Sequence, residues 1–221
     1  MAQIKRNSKN RNEIPEVEQK TEGKTVGIDI GEKTVISCSS GFQSKPDKHG
    51  WTLDKILEKI SGKRKGSKGF EKCRKHRDNH IGWCVNKLRL RGVKTLKREG
   101  IKYLRWGSKC SRKLAHWTYT TIFDKLEDAC LCSGVQSETV CSTYTSQRCS
   151  QCGWTRKRNR KGQRFKCDKC LFECDADLNA SFNISLDLPA IRKEERLRRF
   201  NRAGFYWLAE GQELSTGVFG I

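Results

Sequence analysis

The chain has 221 residues, in which 46 Lys and Arg outnumber 25 Asp and Glu and leave a net charge of +21. This length suits one compact domain with a small appendage, and so large a cationic surplus predicts a polyanionic partner, most simply nucleic acid. No stretch approaches the roughly eighteen apolar residues of a membrane-spanning helix, and residues 1–20 lack the apolar core of a signal peptide. We therefore expect a cytoplasmic protein that contacts no membrane.

The apolar pattern alternates between the short period of strands and the longer period of helices. The predicted elements are two antiparallel strands, two helices, a strand, a helix, a strand and two final helices, over residues 25–30, 34–39, 51–60, 70–90, 93–101, 111–131, 136–142, 177–188 and 190–200. This order predicts an α/β fold with a mixed sheet flanked by helices, which an RNase H-like sheet would fit. Residues 1–23 are polar and basic, and they predict a flexible arm.

Four cysteines form the strongest local motif. Cys149 and Cys152 are separated by two residues, and so are Cys167 and Cys170 after an excursion of 14 residues. Two such knuckles turn four thiolates toward one tetrahedral Zn²⁺ site, which would be structural because no ligand position is left open. Metal ligation is favoured over a disulfide framework for the 12 cysteines, because the chain shows no secretion signal.

The excursion between the knuckles is strongly basic. It carries seven Lys and Arg with Trp154 and Phe165 among them, which predicts contacts with phosphates and a stacked base. A solvated basic loop on a structural ribbon is the alternative. A basic turn at residues 63–68 and a cationic helix face at residues 72–79 extend the predicted surface. The predicted nucleic-acid-binding residues are Lys63, Arg64, Lys65, Arg74, Lys75, Arg77, Arg156, Lys157, Arg158, Arg160, Lys161 and Arg164.

A second group of metal-ligand types lies on the predicted long helix. Cys73, His76, His80 and Cys84 recur on one helical face. The outer two would be about 16 Å apart at 1.5 Å per residue, so a straight helix can hardly wrap all four around one ion. A helix stripe with ordinary histidines is the favoured interpretation.

Three carboxylates are placed unlike ordinary surface charges. Asp29 lies inside an apolar strand, where burial of its charge requires compensation, and a metal would provide it. Glu99 ends the third extended run, and Asp177 starts a helix just after the ribbon. Three carboxylates and a scissile phosphate are the hard oxygen ligands that a Mg²⁺ pair requires. In such a site one ion activates a water and the other stabilises the leaving oxygen.

The segments GIDIGEKT, EGIKYLR followed by SRKLAHWTY, and YTSQRCSQCG through FKCDKC to DADLNASFNI resemble the transposon-encoded TnpB (OrfB zinc-ribbon) family. That family shares a RuvC-like, RNase H-fold nuclease core with type V CRISPR effectors. The resemblance covers residues 24–187 and implies a DNA endonuclease that depends on Mg²⁺ or Mn²⁺, with two ions at the site. It also implies that Asp29, Glu99 and Asp177 are the metal-binding carboxylates, with Asp175 as the alternate to Asp177. The ribbon ligands it implies for Zn²⁺ are Cys149, Cys152, Cys167 and Cys170.

The sequence departs from the family pattern in three ways. Residues 93–98 are more polar than the apolar strand usual before the middle carboxylate, and Leu171 replaces the usual glycine. Only 28 residues precede Asp29, where relatives carry the β-barrel and helical domain that hold guide RNA and target DNA. Branched or single-stranded DNA is therefore the expected substrate. The expected organisation begins with a basic arm (residues 1–23) and a nuclease core in two parts (residues 24–145 and 175–200). A zinc ribbon (residues 146–174) is inserted between the two parts, and a C-terminal tail (residues 201–221) follows.

The leading hypothesis is a RuvC-like, Mg²⁺-dependent DNA endonuclease. A catalytically inactive nucleic-acid-binding protein that retains the fold and the ribbon is the alternative. A basic RNA-binding zinc-ribbon protein would explain the charge and the cysteines, but it gives no reason for Asp29 in an apolar strand. RNA is a second candidate partner, and analogy with RuvC-type resolvases suggests a homodimer.

Overall fold

A four-stranded sheet with the strand order β2-β1-β3-β4 forms the centre of the fold. β1 (Lys24–Asp29) pairs antiparallel with β2 (Ser37–Cys38) and parallel with β3 (Val93–Glu99), which pairs parallel with β4 (Gln136–Val140). The structure is a computed structural model, and it describes residues 17–100, 112–116, 118–191 and 203–212. The predicted α/β class with a mixed sheet is confirmed.

Helices pack on the sheet, and hydroxyl side chains cap two of them. The helices of the described residues are α1 (Leu53–Ser61), α2 (Lys68–Asn86), α3 (Arg112–Ala115), α4 (Tyr119–Cys132) and α5 (Ala176–Ser185). The hydroxyls of Thr52 and Ser67 accept backbone N–H groups in the first turns of α1 and α2, which fixes where these helices begin. The main core lies between the sheet and the buried faces of α1, α2 and α4.

α5 packs against β1 with very little space between the two backbones. A Cβ atom added at Gly27 would lie 2.1 Å from the carbonyl oxygen of Ser181 and 2.4 Å from the backbone nitrogen of Ser185. Only glycine allows this approach, because both obstructing atoms belong to the helix backbone. The close packing fixes the position of α5 relative to the end of β1.

Residues 149–175 form a small ribbon with its own core. β6 (Arg160–Lys161), β7 (Arg164–Lys166) and β8 (Glu173–Asp175) form an antiparallel sheet, whereas β5 (Trp154–Thr155) pairs with β9 (Phe205–Tyr206).

The aromatic side chains of this ribbon are structural. Phe165 is fully buried and Trp154 is only 8% exposed, and both pack in the ribbon core with the cysteines. The prediction that the excursion uses Trp154 or Phe165 to stack a base is therefore wrong. A ribbon this small needs its large aromatic side chains to exclude water from the core.

The termini differ from the predicted arm and tail. The backbone N–H of Lys20 donates to the carbonyl of Gly134 at 2.8 Å, and its ammonium group donates to the carbonyl of Leu90 at 2.9 Å. Trp207 is buried, and its backbone N–H donates a hydrogen bond to the carbonyl of Gly153 at 3.0 Å. Lys20 therefore anchors the end of the predicted arm to the fold, and Trp207 anchors part of the predicted tail. Residues 1–16, the predicted helix after residue 191 and residues 213–221 lie outside the described residues.

Several predicted elements have different bounds in the structure, and two of them differ in kind. The second strand covers only Ser37–Cys38 of the predicted residues 34–39, and the helix predicted over residues 111–131 is divided into α3 and α4. Within the described part of the chain, no helix is both long enough and apolar enough to cross a bilayer.

Candidate active site

Three carboxylates converge at one edge of the sheet. Asp29 and Glu99 end the parallel neighbours β1 and β3, and the register places Ile28 opposite Arg98, so the two carboxylates follow side by side. Asp177 lies in the first turn of α5, which packs on β1. All three carboxylates line one pocket of about 530 Å³, together with the carboxylates of Glu32 and Asp54.

The pocket crowds its carboxylates in a partly desolvated space. Burial, followed by repulsion from Glu99 and Asp177, raises the pKa of Asp29 well above its ordinary value. Burial also raises the pKa of Glu99, although the hydroxyl of Thr145 donates a hydrogen bond to its carboxylate and opposes that rise. The pKa of Asp177 is raised by burial as well. Their oxygen atoms are not all within 4.8 Å of one another.

Arg160 brings a positive charge from the ribbon into this pocket. Its Nη2 donates to Oδ1 of Asp177 at 2.7 Å, and its Nε donates to the carbonyl of Gly162 at 3.1 Å. The guanidinium charge lowers the pKa of all three carboxyl groups and partly offsets the effect of burial. The sequence prediction assigned Arg160 only to nucleic-acid contact, and the structure adds a contact with a carboxylate.

Asp175 and Asp177 have different surroundings. Oδ1 of Asp175 accepts the backbone N–H groups of Asp177 and Leu178, each at 3.0 Å, and thereby caps α5. The same oxygen accepts a hydrogen bond from Nε2 of Gln43 at 2.8 Å. Asp177 lines the carboxylate pocket, whereas the Asp175 carboxylate is engaged in capping. The geometry therefore favours Asp177 over its sequence alternate as a member of the cluster.

The polar sequence of β3 is explained by its neighbours. Leu96 is fully buried in the main core. Lys97 is buried and its ammonium group pairs with Asp187 at 2.5 Å, whereas the guanidinium of Arg98 lies 4.4 Å from the ring centroid of Phe123. Lys97 and Arg98 therefore each have a partner, and the strand can hold its last residue at the carboxylate pocket.

The four ribbon cysteines form the group of ligand atoms that the spacing predicts. The sulfur atoms of Cys149 and Cys170 are 3.6 Å apart, and those of Cys152 and Cys167 are also 3.6 Å apart. All four sulfur atoms lie within 4.8 Å of one another. Tetrahedral Zn²⁺ with Zn–S bonds of about 2.3 Å places sulfur atoms about 3.8 Å apart. The cluster is consistent with a zinc ribbon.

A buried polar network joins the ribbon to α5. Arg148 is fully buried, and its carbonyl accepts the side-chain amides of Asn179 and Asn183, each at 2.7 Å. Its guanidinium donates to Oδ1 of Asn183 and to the carbonyl of Trp207, each at 2.6 Å, while burial lowers the pKa of Arg148 to about 10. Sequence reasoning missed this network. The pair of asparagines four residues apart on α5 was the available signal.

Most arginines in the basic excursion are engaged in ion pairs. The guanidinium groups of Arg156 and Arg158 each contact the carboxylate of Asp168 at 2.7 Å. Arg164 pairs with Glu173 at 2.5 Å. These contacts order the ribbon surface and reduce the charge that these arginines offer to phosphates.

The remaining predicted nucleic-acid-binding residues divide by exposure. Arg77 is only 5% exposed, and it donates to Asp78 and to the carbonyl of His116, so its predicted phosphate contact is wrong. Arg74 is exposed and pairs with Glu71 at 3.0 Å. The other predicted cations are exposed, and they are Lys63, Arg64, Lys65, Lys75, Lys157 and Lys161.

The cysteine and histidine stripe on α2 does not converge on one point. Nε2 of His76 is 3.8 Å from a carboxylate oxygen of Asp47, and Sγ of Cys84 is 3.7 Å from Nε2 of His80. Among the described residues, only the ribbon cysteines bring three or more such ligand atoms within 4.8 Å. Ordinary helix packing therefore accounts for the stripe.

Known proteins resemble this chain over the same regions. The Cas12f1-like TNB domain family matches residues 119–184. The CRISPR-associated endodeoxyribonuclease Cas12f1 of Sulfoacidibacillus thermotolerans is 33% identical over 138 residues, which cover 62% of this chain and 32% of that protein. The TnpB-like protein aq_aa05 of Aquifex aeolicus (strain VF5) is 35% identical over 78 residues, which cover 34% of this chain and 26% of that protein.

A solved structure has a similar fold. The Cas12f1 chain of a complex with single-guide RNA and target DNA matches with a TM-score of 0.52 and 24% identity, over 73% of this chain and 49% of that one. The fold and the site define a mixed α/β protein with a four-cysteine ribbon and a three-carboxylate pocket. Over these parts of its length the chain resembles a TnpB-like family related to the type V CRISPR effectors. It spans a quarter to a third of the length of the two relatives described above.

Proposed function

We propose that the chain is the nuclease part of a metal-dependent DNA endonuclease, with Asp29, Glu99 and Asp177 as the ligands of its catalytic Mg²⁺ or Mn²⁺ ions. The observation that carries this proposal is the convergence of the three carboxylates in one pocket from β1, β3 and α5. A RuvC-like fold accords with a mixed sheet that has an antiparallel edge and parallel neighbours.

The pocket residues fit a divalent metal site. Three partly buried carboxylates supply hard oxygen donors, and their mutual repulsion would be relieved by a cation. Bound divalent ions would supply an activated water and stabilise the leaving oxygen of the phosphodiester. Thr145 would hold the Glu99 carboxylate in place by donating its hydrogen bond. The guanidinium of Arg160 would bind the phosphate oxygens, because its planar set of donors suits phosphate.

The cysteine cluster would hold a structural Zn²⁺. Four thiolates complete a tetrahedral shell, so the site has no place for a substrate. The separate hydrophobic core of the ribbon supports the proposed boundary between residues 146–174 and the nuclease core at residues 24–145 and 175–200.

DNA is the proposed substrate, and RNA is a second proposed partner. The Cas12f1 relative carries the name endodeoxyribonuclease, and the solved Cas12f1 chain was determined with single-guide RNA and target DNA. The net charge of +21 suits either nucleic acid. Branched and single-stranded DNA remain the proposed forms of the substrate, and none of these observations supports the predicted homodimer.

The alternative is a catalytically inactive nucleic-acid-binding protein. The ion pair between Arg160 and Asp177 favours it, because the pocket already contains a cation that could stabilise the carboxylates without a metal. Under this alternative the fold and the ribbon would serve binding alone.

The deciding experiment is a cleavage assay on the purified chain, with any copurifying nucleic acid retained. We expect wild type with Mg²⁺ or Mn²⁺ to cut single-stranded, duplex or four-way-junction DNA. Asp29→Ala and Asp177→Ala should lower the rate by at least about 10³-fold while DNA binding persists. Asp124→Ala, on the exposed surface of α4, is the matched control and should cut as wild type does. Wild-type protein that binds all three DNAs and leaves them intact would support the inactive alternative.

A further inference from the structure

A second cavity lies between the loop after β2 and the last turns of α2. Its volume is about 770 Å³, which is in the range of small-ligand sites. Phe42 and Trp83 supply aromatic surface to its lining, and Lys45, Lys87 and Arg89 supply positive charge. Among the described residues, none that lines the cavity is a carboxylate.

Trp83 presents an unusual amount of apolar surface to this cavity. It is 38% exposed, which places it among the few large apolar side chains that the described residues leave open to solvent. One contact of its indole ring is a stack on His80, with ring centroids 5.9 Å apart and an interplanar angle of 27°. An exposed indole beside cations is the arrangement by which proteins stack single-stranded nucleic acid.

The cations of the cavity differ from the arginines of the ribbon. Lys45, Lys87 and Arg89 are exposed, and within the described residues none of them forms an ion pair. The ammonium group of Lys87 lies 5.9 Å from the ring centroid of Trp83. Ion pairs engage several ribbon arginines, whereas these three charges are available to an anionic ligand. Charge and aromatic surface therefore coincide at this cavity.

A single side chain connects the cavity to the carboxylate pocket. Gln43 lines the cavity, and its Nε2 donates to Oδ1 of Asp175 at 2.8 Å. The same carboxylate oxygen accepts the backbone N–H of Asp177, which lines the carboxylate pocket. The two sites are therefore neighbours across the N-terminus of α5. A strand that crosses the carboxylates could extend into the cavity.

We propose that this cavity binds a nucleotide of single-stranded DNA, with its base stacked on Trp83 and its flanking phosphates at Lys45, Lys87 and Arg89. The assignment of DNA rests on the proposed nuclease function, because the strand is taken to be the one that crosses the carboxylate pocket. The cavity stacks the base by its face, so binding tolerates any base sequence.

The first test measures binding of a labelled single-stranded oligodeoxynucleotide without added Mg²⁺ or Mn²⁺, so that cleavage is not required. Trp83→Ala should weaken binding by about 5-fold to 100-fold, and Trp83→Phe should restore most of the loss. Leu131→Ala, which removes a comparably exposed apolar side chain outside the cavity, should bind as wild type does. Equal affinity of Trp83→Ala and wild type, with both folded by circular dichroism, would overturn the proposal.

The salt dependence of binding separates the base contact from the phosphate contacts. Lys87→Ala and Arg89→Ala should each lower the slope of log affinity against log salt by about 0.7, the value for one phosphate of a single strand. Trp83→Ala should leave that slope unchanged. Lys48→Ala, an exposed cation outside the cavity lining, should lower neither the affinity nor the slope. An equal effect of Lys48→Ala and Lys87→Ala would contradict the assignment of the phosphates to this cavity.

Photocrosslinking identifies the occupant directly. An oligodeoxynucleotide that carries 5-iodouracil should crosslink to Trp83 or Phe42, and mass spectrometry would locate the bond. This result would support the binding of DNA in the cavity even if the protein cuts no DNA. The experiment therefore distinguishes a failure of this proposal from a failure of the proposed nuclease function. Crosslinks confined to other parts of the chain would overturn it. A Trp83→Ala defect seen with the matching RNA but not with DNA would overturn the assignment to DNA.

Discussion

The four-cysteine cluster and the three-carboxylate pocket are assembled in opposite ways. The cysteines come from residues 149–170, and their sulfur atoms already lie at the spacing of ligands around one ion. The carboxylates come from β1, β3 and α5, and they repel one another. A local metal site therefore has its geometry encoded in its spacing, whereas the geometry of a remote site depends on the packing of the whole fold.

The largest expected effect concerns the local site. Cys149→Ser should abolish the bound zinc and unfold the ribbon, because metal-binding free energy, roughly 10–16 kcal/mol in zinc-finger peptides, is folding free energy in so small a unit. We expect zinc content to fall from one ion per chain to none, and limited proteolysis to cut within residues 146–174. Cys174→Ser, which changes a cysteine outside the cluster, should keep its zinc. A zinc-replete Cys149→Ser protein would contradict the assignment.

The next effect should damage the remote site and spare the local one. Gly27→Ala places a methyl group against the backbone of α5, so the helix that carries Asp177 must shift. We expect a loss of about 1–3 kcal/mol in the free energy of unfolding, measured with urea, together with a loss of cleavage. The zinc content should not change.

A glycine without close neighbours provides the control for this substitution. A Cβ atom at Gly62, which caps α1 in a right-handed helical conformation, would have its nearest obstruction 3.8 Å away at the carbonyl of Lys59. Gly62→Ala should change the free energy of unfolding by less than about 0.5 kcal/mol. Equal destabilisation by the two alanines would show that close packing of α5 is not the cause.

The smallest effect should appear as a gain in stability. The pKa of Asp29 is raised in the folded protein, so the folded state holds this proton more tightly than the unfolded state does. Without divalent ions, the free energy of unfolding should therefore fall as pH rises from the ordinary Asp pKa of about 3.9 through the higher folded pKa. Asp29→Asn should remove this loss and stabilise the protein at pH 7 by about 0.5–2 kcal/mol.

Urea unfolding at several pH values, without added Mg²⁺ or Mn²⁺, measures this effect. Asp124→Asn on the exposed surface of α4 should alter neither the stability nor its pH dependence. If the Asp29→Asn protein is less stable than wild type at pH 7, the Asp29 carboxylate stabilises the folded state. That result would contradict the conclusion that repulsion among the carboxylates destabilises the fold.

Sequence reasoning worked best where the signal is local. The spacing of the ribbon cysteines predicted a cluster that the structure contains, and an aspartate inside an apolar strand marked Asp29 as unusual. The polar run before Glu99 could not be interpreted in the same way. Its lysine and arginine find partners on α4 and beyond α5, and such partners become apparent only when the chain is folded.

Other features could not be read from the sequence because exposure is a property of the fold. Trp154 and Phe165 look like stacking residues within a basic loop, but the ribbon needs them as its core. Trp83 lies in a helix whose apolar residues show an ordinary helical spacing. Its exposure depends on the position of the loop after β2, which forms the other side of the cavity. The burial of Arg148 requires the backbone of Trp207, more than fifty residues away.

The contacts of Arg148 and Arg160 connect the two sites through α5. Asn179 and Asn183 of α5 hold the carbonyl at the first ribbon knuckle, and a ribbon arginine holds Asp177 of the same helix. Under the proposed function, an ion that orders the cysteines would change the affinity of the carboxylates for a divalent ion, and the second ion would change the affinity for the first by the same factor. The ribbon would in this sense be an effector of the carboxylate pocket, with the two metals as coupled ligands.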